Sequence, residues 1–173
     1  MEQKLIETYS KFKLELQEYS DTYNEKKYKN YSLIKFWYPK DLYFFYISDC
    51  SIPRSLISLL ELQIDLVVNC TDDSTLFPFE HLKLCDYIQI PISDSSVDDL
   101  VLLEFLKKSD TLEKIHDYIV SGKNVLIHCH AGISRSPTIA MCLLMKYFEF
   151  SLEMAHETIK EYRKQIYRST LPY

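Results

Sequence analysis

Glycine is nearly absent from this chain, with 2 in 173 residues. Each one is therefore expected where a side chain is hard to accommodate. The five cysteines are odd in number, widely scattered (50, 70, 85, 129, 142) and free of Cys-x-x-Cys pairs. Neither a disulfide framework nor a structural zinc site fits that spacing, and a reducing compartment does. Basic charge is not in excess: 20 Lys and Arg face 25 Asp and Glu, a formal net charge of −5. A broadly basic nucleic-acid-binding surface is not expected, although a local basic pocket is compatible with the balance. Long apolar runs are missing, and the first twenty residues mix charges into every turn. The sequence reads as having no signal peptide and no membrane-spanning helix. What remains is 47% apolar and rich in aromatics, with 14 Tyr and 9 Phe, enough to bury the core of one domain.

Residues 2–19 read as an amphipathic surface helix, with Leu5, Tyr9, Phe12 and Leu16 at helical spacing. Residues 20–40 are polar and Tyr/Lys-rich and read as a connection. Four short runs then carry strand signals: LYFFYIS (42–48), IDLVVNC (64–70), KLCDYIQI (83–90) and NVLIH (124–128). Helical patterns lie between them. One spans 51–63, with Pro53 suited to a first turn. A longer one spans 97–122, with a break at Ser109-Asp110, where Asp110 and Glu113 resemble a capping pair. Two further helices follow residue 136, the last starting at Ser151 as N-cap. The expected fold is α/β: a central, mostly parallel sheet of four to five strands flanked by helices. The expected division is an N-terminal helix and connection over 1–40 and an α/β domain over 41–173.

The informative stretch is VLIHCHAGISRSPTIA, residues 125–140. A buried strand runs into a short loop and a helix follows at once, so backbone N–H groups gather at the positive end of a helix dipole and form an anion site. Gly132 lies inside that turn, and Pro137 sits where the helix begins and forfeits no needed N–H. Cys129 opens the loop and Arg135 closes it. A thiol near a helix N-terminus and a guanidinium has a lowered pKa, and Arg135 offers a planar fork matched to two phosphate oxygens. The Ser136 hydroxyl can hydrogen-bond the thiolate and help it depart. Together these groups suit nucleophilic attack on a bound phosphoryl group, cradled by His130, Ala131, Gly132, Ile133, Ser134 and Arg135. His128 and His130 flank the cysteine, but no metal site is expected from them.

HCHAGISRS resembles the signature of the cysteine-based protein phosphatases, and SRSPTIA looks like their dual-specificity branch. The resemblance runs over roughly residues 41–165. It implies the family's sheet-and-helix fold, no cofactor and no metal, and a phosphoprotein substrate. Departure of the leaving oxygen needs a proton, and the family supplies it from an Asp upstream. YIQIPISD places Asp94 at that position, with Asp98 and Asp99 as competitors better suited to a helix start. Asp94 precedes Cys129 by 35 residues. That is about four more than in relatives, a surplus of about one helical turn falling within 105–115.

Arg163 aligns with a family position near the pocket rim, where it would reach a second phosphate, a solvated helix face being the alternative. Cys70 ends a central strand and is the candidate redox partner of Cys129, a buried structural thiol being the alternative. His116 and His156 read as packing or surface residues. Two departures stand out: LYFFYIS is bulky where the family's first strand carries a glycine, and QIYRSTLPY lacks the family's Pro-Asn. The resemblance implies a cytoplasmic or nuclear monomeric phosphatase acting on phosphotyrosine and phosphoserine/threonine, without nucleic-acid or membrane partners. The alternatives are a catalytically silent phosphopeptide-binding scaffold, or a phosphatase for RNA 5′-phosphates or lipid phosphates.

Overall fold

A computed structural model describes residues 30–93 and 99–166 of the chain; the helix expected over 2–19 lies outside them. Strand β1 (Tyr31–Tyr38) turns through Pro39 and Lys40 into β2 (Asp41–Ser48), an antiparallel pair in register from Tyr31↔Ser48 to Tyr38↔Asp41. The sequence composition places residues 31–38 within a connection. The run YSLIKFWY nonetheless alternates, burying Ile34 and Phe36 while exposing Lys35 and Trp37. That period of two lets it pair with β2 despite its Tyr/Lys-rich surroundings.

After β2 the chain forms α1 (Leu56–Glu61), shorter than the 51–63 expected. The Ser55 hydroxyl accepts from the Ser58 N–H at 3.2 Å and sets the helix start, so Pro53 falls in the preceding turn rather than the first helical turn. Strand β3 (Leu66–Asn69) leads through two single 3-10 turns to β4 (Asp86–Gln89). Helices α2 (Asp99–Lys108) and α3 (Thr111–Val120) follow, with the expected break between them. Asp110 makes no capping hydrogen bond there; its carboxylate pairs with Lys114 at 3.0 Å instead. Gly122 ends α3 at φ +73°, the left-handed geometry that favours glycine. Strand β5 (Val125–His128) runs directly into the loop before α4 (Arg135–Tyr147). The last described helix is α5 (Leu152–Tyr162), whose N-cap Ser151 accepts from the Met154 N–H at 3.2 Å, as expected.

The sheet order is β1-β2-β5-β3-β4, parallel except for β1 against β2. Strand β5 is central, buried along its whole length between β2 and β3. Its side chains alternate between two cores. Val125 and Ile127 join the larger core with residues of α2 to α5, and Leu126 joins Leu59, Ile64, Val67 and Phe77 on the α1 face. Because the three central strands are parallel, their C-terminal ends gather at one pole, where open α/β sheets place their binding sites. Under the β1–β2 hairpin, Phe148 meets Phe36, Tyr38, Tyr43 and His116 at ring-centroid distances of 4.8, 5.4, 5.3 and 5.5 Å. No described helix is long and apolar enough to cross a membrane.

Candidate active site

Cys129 is the first residue beyond β5, and Arg135 is the first residue of α4. The six residues 129–134 wrap into a tight loop between β5 and α4. Gly132 makes the wrap possible for two reasons. Its φ is +65°, and a Cβ there would stand 2.5 Å from the Ser48 carbonyl oxygen and 2.6 Å from Arg163 Nη2. The segment after β2 braces the loop from one side, the Cys50 N–H donating to the His130 carbonyl at 3.0 Å.

The Cys129 side chain is 2% exposed. Its Sγ accepts from the Gly132 N–H at 3.1 Å and from the Ser136 hydroxyl at 3.3 Å. Burial by itself pushes the thiol up. The hydroxyl and backbone N–H of Ser136, the Gly132 N–H and the Arg135 charge together outweigh it, and the thiol titrates below its ordinary value. The start of α4 adds the positive end of its dipole. Arg135 also ties the loop to the segment after β4, Nη1 donating to the Ile92 carbonyl at 3.3 Å.

The remaining loop residues divide by exposure: His130, Ala131 and Ser134 are exposed, Ile133 is half-buried and Ser136 is fully buried. His128 is buried, and burial pushes its imidazole down to about 4, so it is neutral at pH 7. The two histidines flanking Cys129 thus occupy unlike environments. Among the described residues no cluster of three or more His, Cys, Asp or Glu gathers as a metal site.

Arg163 is not on the rim. It is 2% exposed and lies beneath the loop, Nε donating to the Gly132 carbonyl at 2.6 Å and Nη2 to the Ala131 carbonyl at 3.2 Å. Its third nitrogen, Nη1, faces the Ser32 hydroxyl at 3.5 Å. The expectation of a rim contact or a solvated helix face fails because α5 packs against β1 and α4 and carries its C-cap residue into the core.

Cys70 is fully buried and one residue beyond β3, while Cys129 is one residue beyond β5. Asn69 and His128 are register partners, and the Cys70 N–H donates to the His128 carbonyl at 2.8 Å, so the two cysteines leave adjacent strands at the same level. Both belong to one hydrophobic core. Burial, then the nearby Cys129 charge, push the Cys70 thiol well up, with Arg135 opposing.

Asp94 and Asp98 lie outside the described residues; Asp99 is the first residue of α2. His116 stacks on Tyr147 at 4.5 Å, and His156 is buried in α5 with Nδ1 3.1 Å from Glu157. Both have the packing character expected of them.

The sequence reading missed the polar turn after β3. Buried Asn69 accepts from the Thr71 N–H and hydroxyl and donates to the Asp73 carbonyl and the Tyr87 hydroxyl. Asp73 caps the next turn, and the Thr75 hydroxyl and N–H hold its carboxyl low, with smaller help from the charges of His130 and Arg54. The available signal was Asn-x-Thr-x-Asp following a fully buried strand, a pattern that side-chain turns favour.

A mostly parallel sheet thus carries a buried, hydrogen-bonded thiol at the end of its central strand, beside a helix start that begins on arginine and favours anions. Residues 45–171 match the family "Dual specificity phosphatase, catalytic domain", and the chain belongs to it. Dual specificity protein phosphatase 5 of Rattus norvegicus is 40% identical over 80 residues, covering 46% of this chain and 20% of that protein. Dual specificity protein phosphatase 18 of Homo sapiens is 30% identical over 118 residues, covering 68% of this chain and 59% of the relative. The chain therefore spans less than two thirds of these relatives. Human DUSP28 superposes with a TM-score of 0.62 at 20% identity, over 73% of this chain and 80% of that one. The human tyrosine phosphatase-like serine/threonine/tyrosine-interacting protein gives 0.60 at 23%, over 73% and 83%. These two likenesses concern the fold.

Proposed function

We propose that this chain hydrolyses phosphotyrosine and phosphoserine or phosphothreonine in proteins through a cysteinyl-phosphate intermediate. The observation that carries the reading is Cys129 Sγ held by Gly132 N–H and Ser136 hydroxyl at the start of α4. In the first step the thiolate attacks phosphorus, an S–P bond forms and the ester P–O bond breaks. Asp94 gives its proton to the departing oxygen, a role that rests on its position in YIQIPISD. In the second step water attacks phosphorus, its proton returns to Asp94, and the S–P bond breaks to give inorganic phosphate. Ser136 donates to the sulfur as it leaves, and Arg135 clamps two phosphoryl oxygens through both steps.

The test is hydrolysis of an aryl phosphate and of phosphotyrosyl and phosphothreonyl peptides, with chelator present throughout. Turnover of all three is expected from the wild-type chain. Cys129→Ser abolishes it while phosphate binding survives, and Arg135→Lys loses both rate and vanadate affinity, because an ammonium cannot reproduce the fork. Phosphopeptide binding without turnover by the wild-type chain would replace the enzyme reading with that of a scaffold. Turnover confined to RNA 5′-phosphates or phosphoinositides would replace the substrate class.

A further inference from the structure

Two hydrogen bonds meet on a single peptide group. The amide joining Ala131 to Gly132 accepts from Arg163 Nη2 at its carbonyl, 3.2 Å, and donates from its N–H to Cys129 Sγ, 3.1 Å. The described chain has no cis peptide bond, so the carbonyl and N–H of this amide point in opposite directions. Arg163 and the thiol therefore sit on opposite sides of one planar group. The next amide repeats the pattern: Arg163 Nε donates to the Gly132 carbonyl at 2.6 Å, which turns the Ile133 N–H away from Arg163.

We infer that Arg163 is a positioning residue for the proposed phosphatase reaction: its guanidinium anchors two consecutive loop carbonyls and thereby aims and polarises the Gly132 N–H that holds the Cys129 thiolate. The inference rests on the nucleophile assigned under the proposed function.

Charge, hydrogen bonding and packing carry it. A guanidinium stays protonated in proteins, so its charge reaches the carbonyl despite burial, and charge-assisted bonds are stronger than neutral ones. Chains of hydrogen bonds in a low-dielectric interior reinforce one another. The space is also closed: a Cβ at Gly132 would collide with Arg163 Nη2 at 2.6 Å, so loop and guanidinium fit as one piece. The residues linked are 31 and 32 positions apart in sequence, which gives the end of α5 direct leverage on the loop. Other groups face the same pair. Arg135 on α4 lowers the Cys129 thiol, Cys70 beyond β3 lies in its charge range, His128 and His130 adjoin it, and Asp49 beyond β2 faces Arg163. None of the residues substituted below removes those groups.

The experiment measures the rate of Cys129 alkylation by iodoacetamide against pH, read by mass spectrometry of the Cys129 peptide, in wild type, Arg163→Met and Arg163→Lys. Thermal melting and circular dichroism report folding alongside. Arg163→Met is expected to move the inflection upward by about one pH unit, a tenfold loss of thiolate below it, and to weaken vanadate binding about tenfold. Arg163→Lys should fall between, since an ammonium keeps the charge but not the fork. A folded Arg163→Met protein with an unmoved inflection overturns the inference. If that variant does not fold, an unmoved inflection in Arg163→Lys overturns it instead. Alkylation needs no turnover, so a low wild-type inflection without phosphate-ester hydrolysis would sink the phosphatase reading and leave the Arg163 coupling standing.

Discussion

Arg135 Nη1 donates to the carbonyl of Ile92 at 3.3 Å, joining the first residue of α4 to the segment that leaves β4. The two residues are 43 positions apart. The bond holds the buried Ile92 against the phosphate loop, and Asp94 follows two residues later in sequence. Under the proposed mechanism Asp94 is the acid of that segment.

Asp94→Asn should accordingly slow alkyl phosphates by about 100-fold or more, the usual reach of general-acid catalysis. Activated aryl phosphates, whose leaving group departs without a proton, should lose far less. Asp98→Asn and Asp99→Asn are the controls. Leaving-group dependence in either control, and not at position 94, would move the acid to the start of α2.

Gly132→Ala should damage both stability and chemistry. Its φ of +65° strains any other residue, and the added methyl would meet the Ser48 carbonyl oxygen at 2.5 Å, an obstacle of backbone that cannot rotate away. Strain of this kind costs about 1–3 kcal/mol. Denaturant unfolding should register that loss, and the Cys129 inflection should rise as the Gly132 N–H moves off the sulfur. An alanine variant with wild-type stability and alkylation profile would mean that the loop relaxes freely.

Peroxide should inactivate the protein reversibly. The low-lying Cys129 thiolate is oxidised to the sulfenic acid, and the Cys70 thiol then displaces water from it to form the disulfide. Neighbouring strands lie about 4.8 Å apart, inside the Cα separation a disulfide spans, and the two cysteines leave adjacent strands at one level. Because burial raises the Cys70 thiol, resolution should quicken as pH climbs. Mass spectrometry of non-reduced peptides should find the Cys70–Cys129 pair, and Cys70→Ser should make inactivation harder to reverse. Absence of that pair after reversible inactivation would leave Cys70 a structural thiol.

Phe148→Ala should cost about 3–5 kcal/mol, the usual range for deleting a buried aromatic side chain. The ring is 2% exposed and meets four others, so its loss leaves a cavity between the hairpin and α4. Urea unfolding checks the figure. Activity per folded molecule should be unchanged, because Phe148 caps the end of α4 opposite Arg135. A cost below about 1 kcal/mol would mean the core collapses into the space.

The phosphate loop was legible in the sequence because its physics is local. A buried strand, a thiol, a glycine, an arginine and a helix start follow within a dozen residues, and their chemistry needs only that order. The Ser151 cap and the break at Ser109-Asp110 were legible for the same reason. The alternation of β1 is present in the sequence, but the polar, Tyr/Lys-rich composition of 20–40 masks it.

Tertiary structure decided the rest. Hydrophobic burial places β5 between β2 and β3, and that order sets Cys70 level with Cys129 and closes Ser48 against Gly132. Arg163 shows the limit most plainly. At the end of an amphipathic helix, an arginine reads as a rim contact or a solvated side chain, because long charged side chains are seldom buried. Only the packing of α5 onto β1 and α4 turns it inward, where two loop carbonyls accept from it and compensate its desolvation.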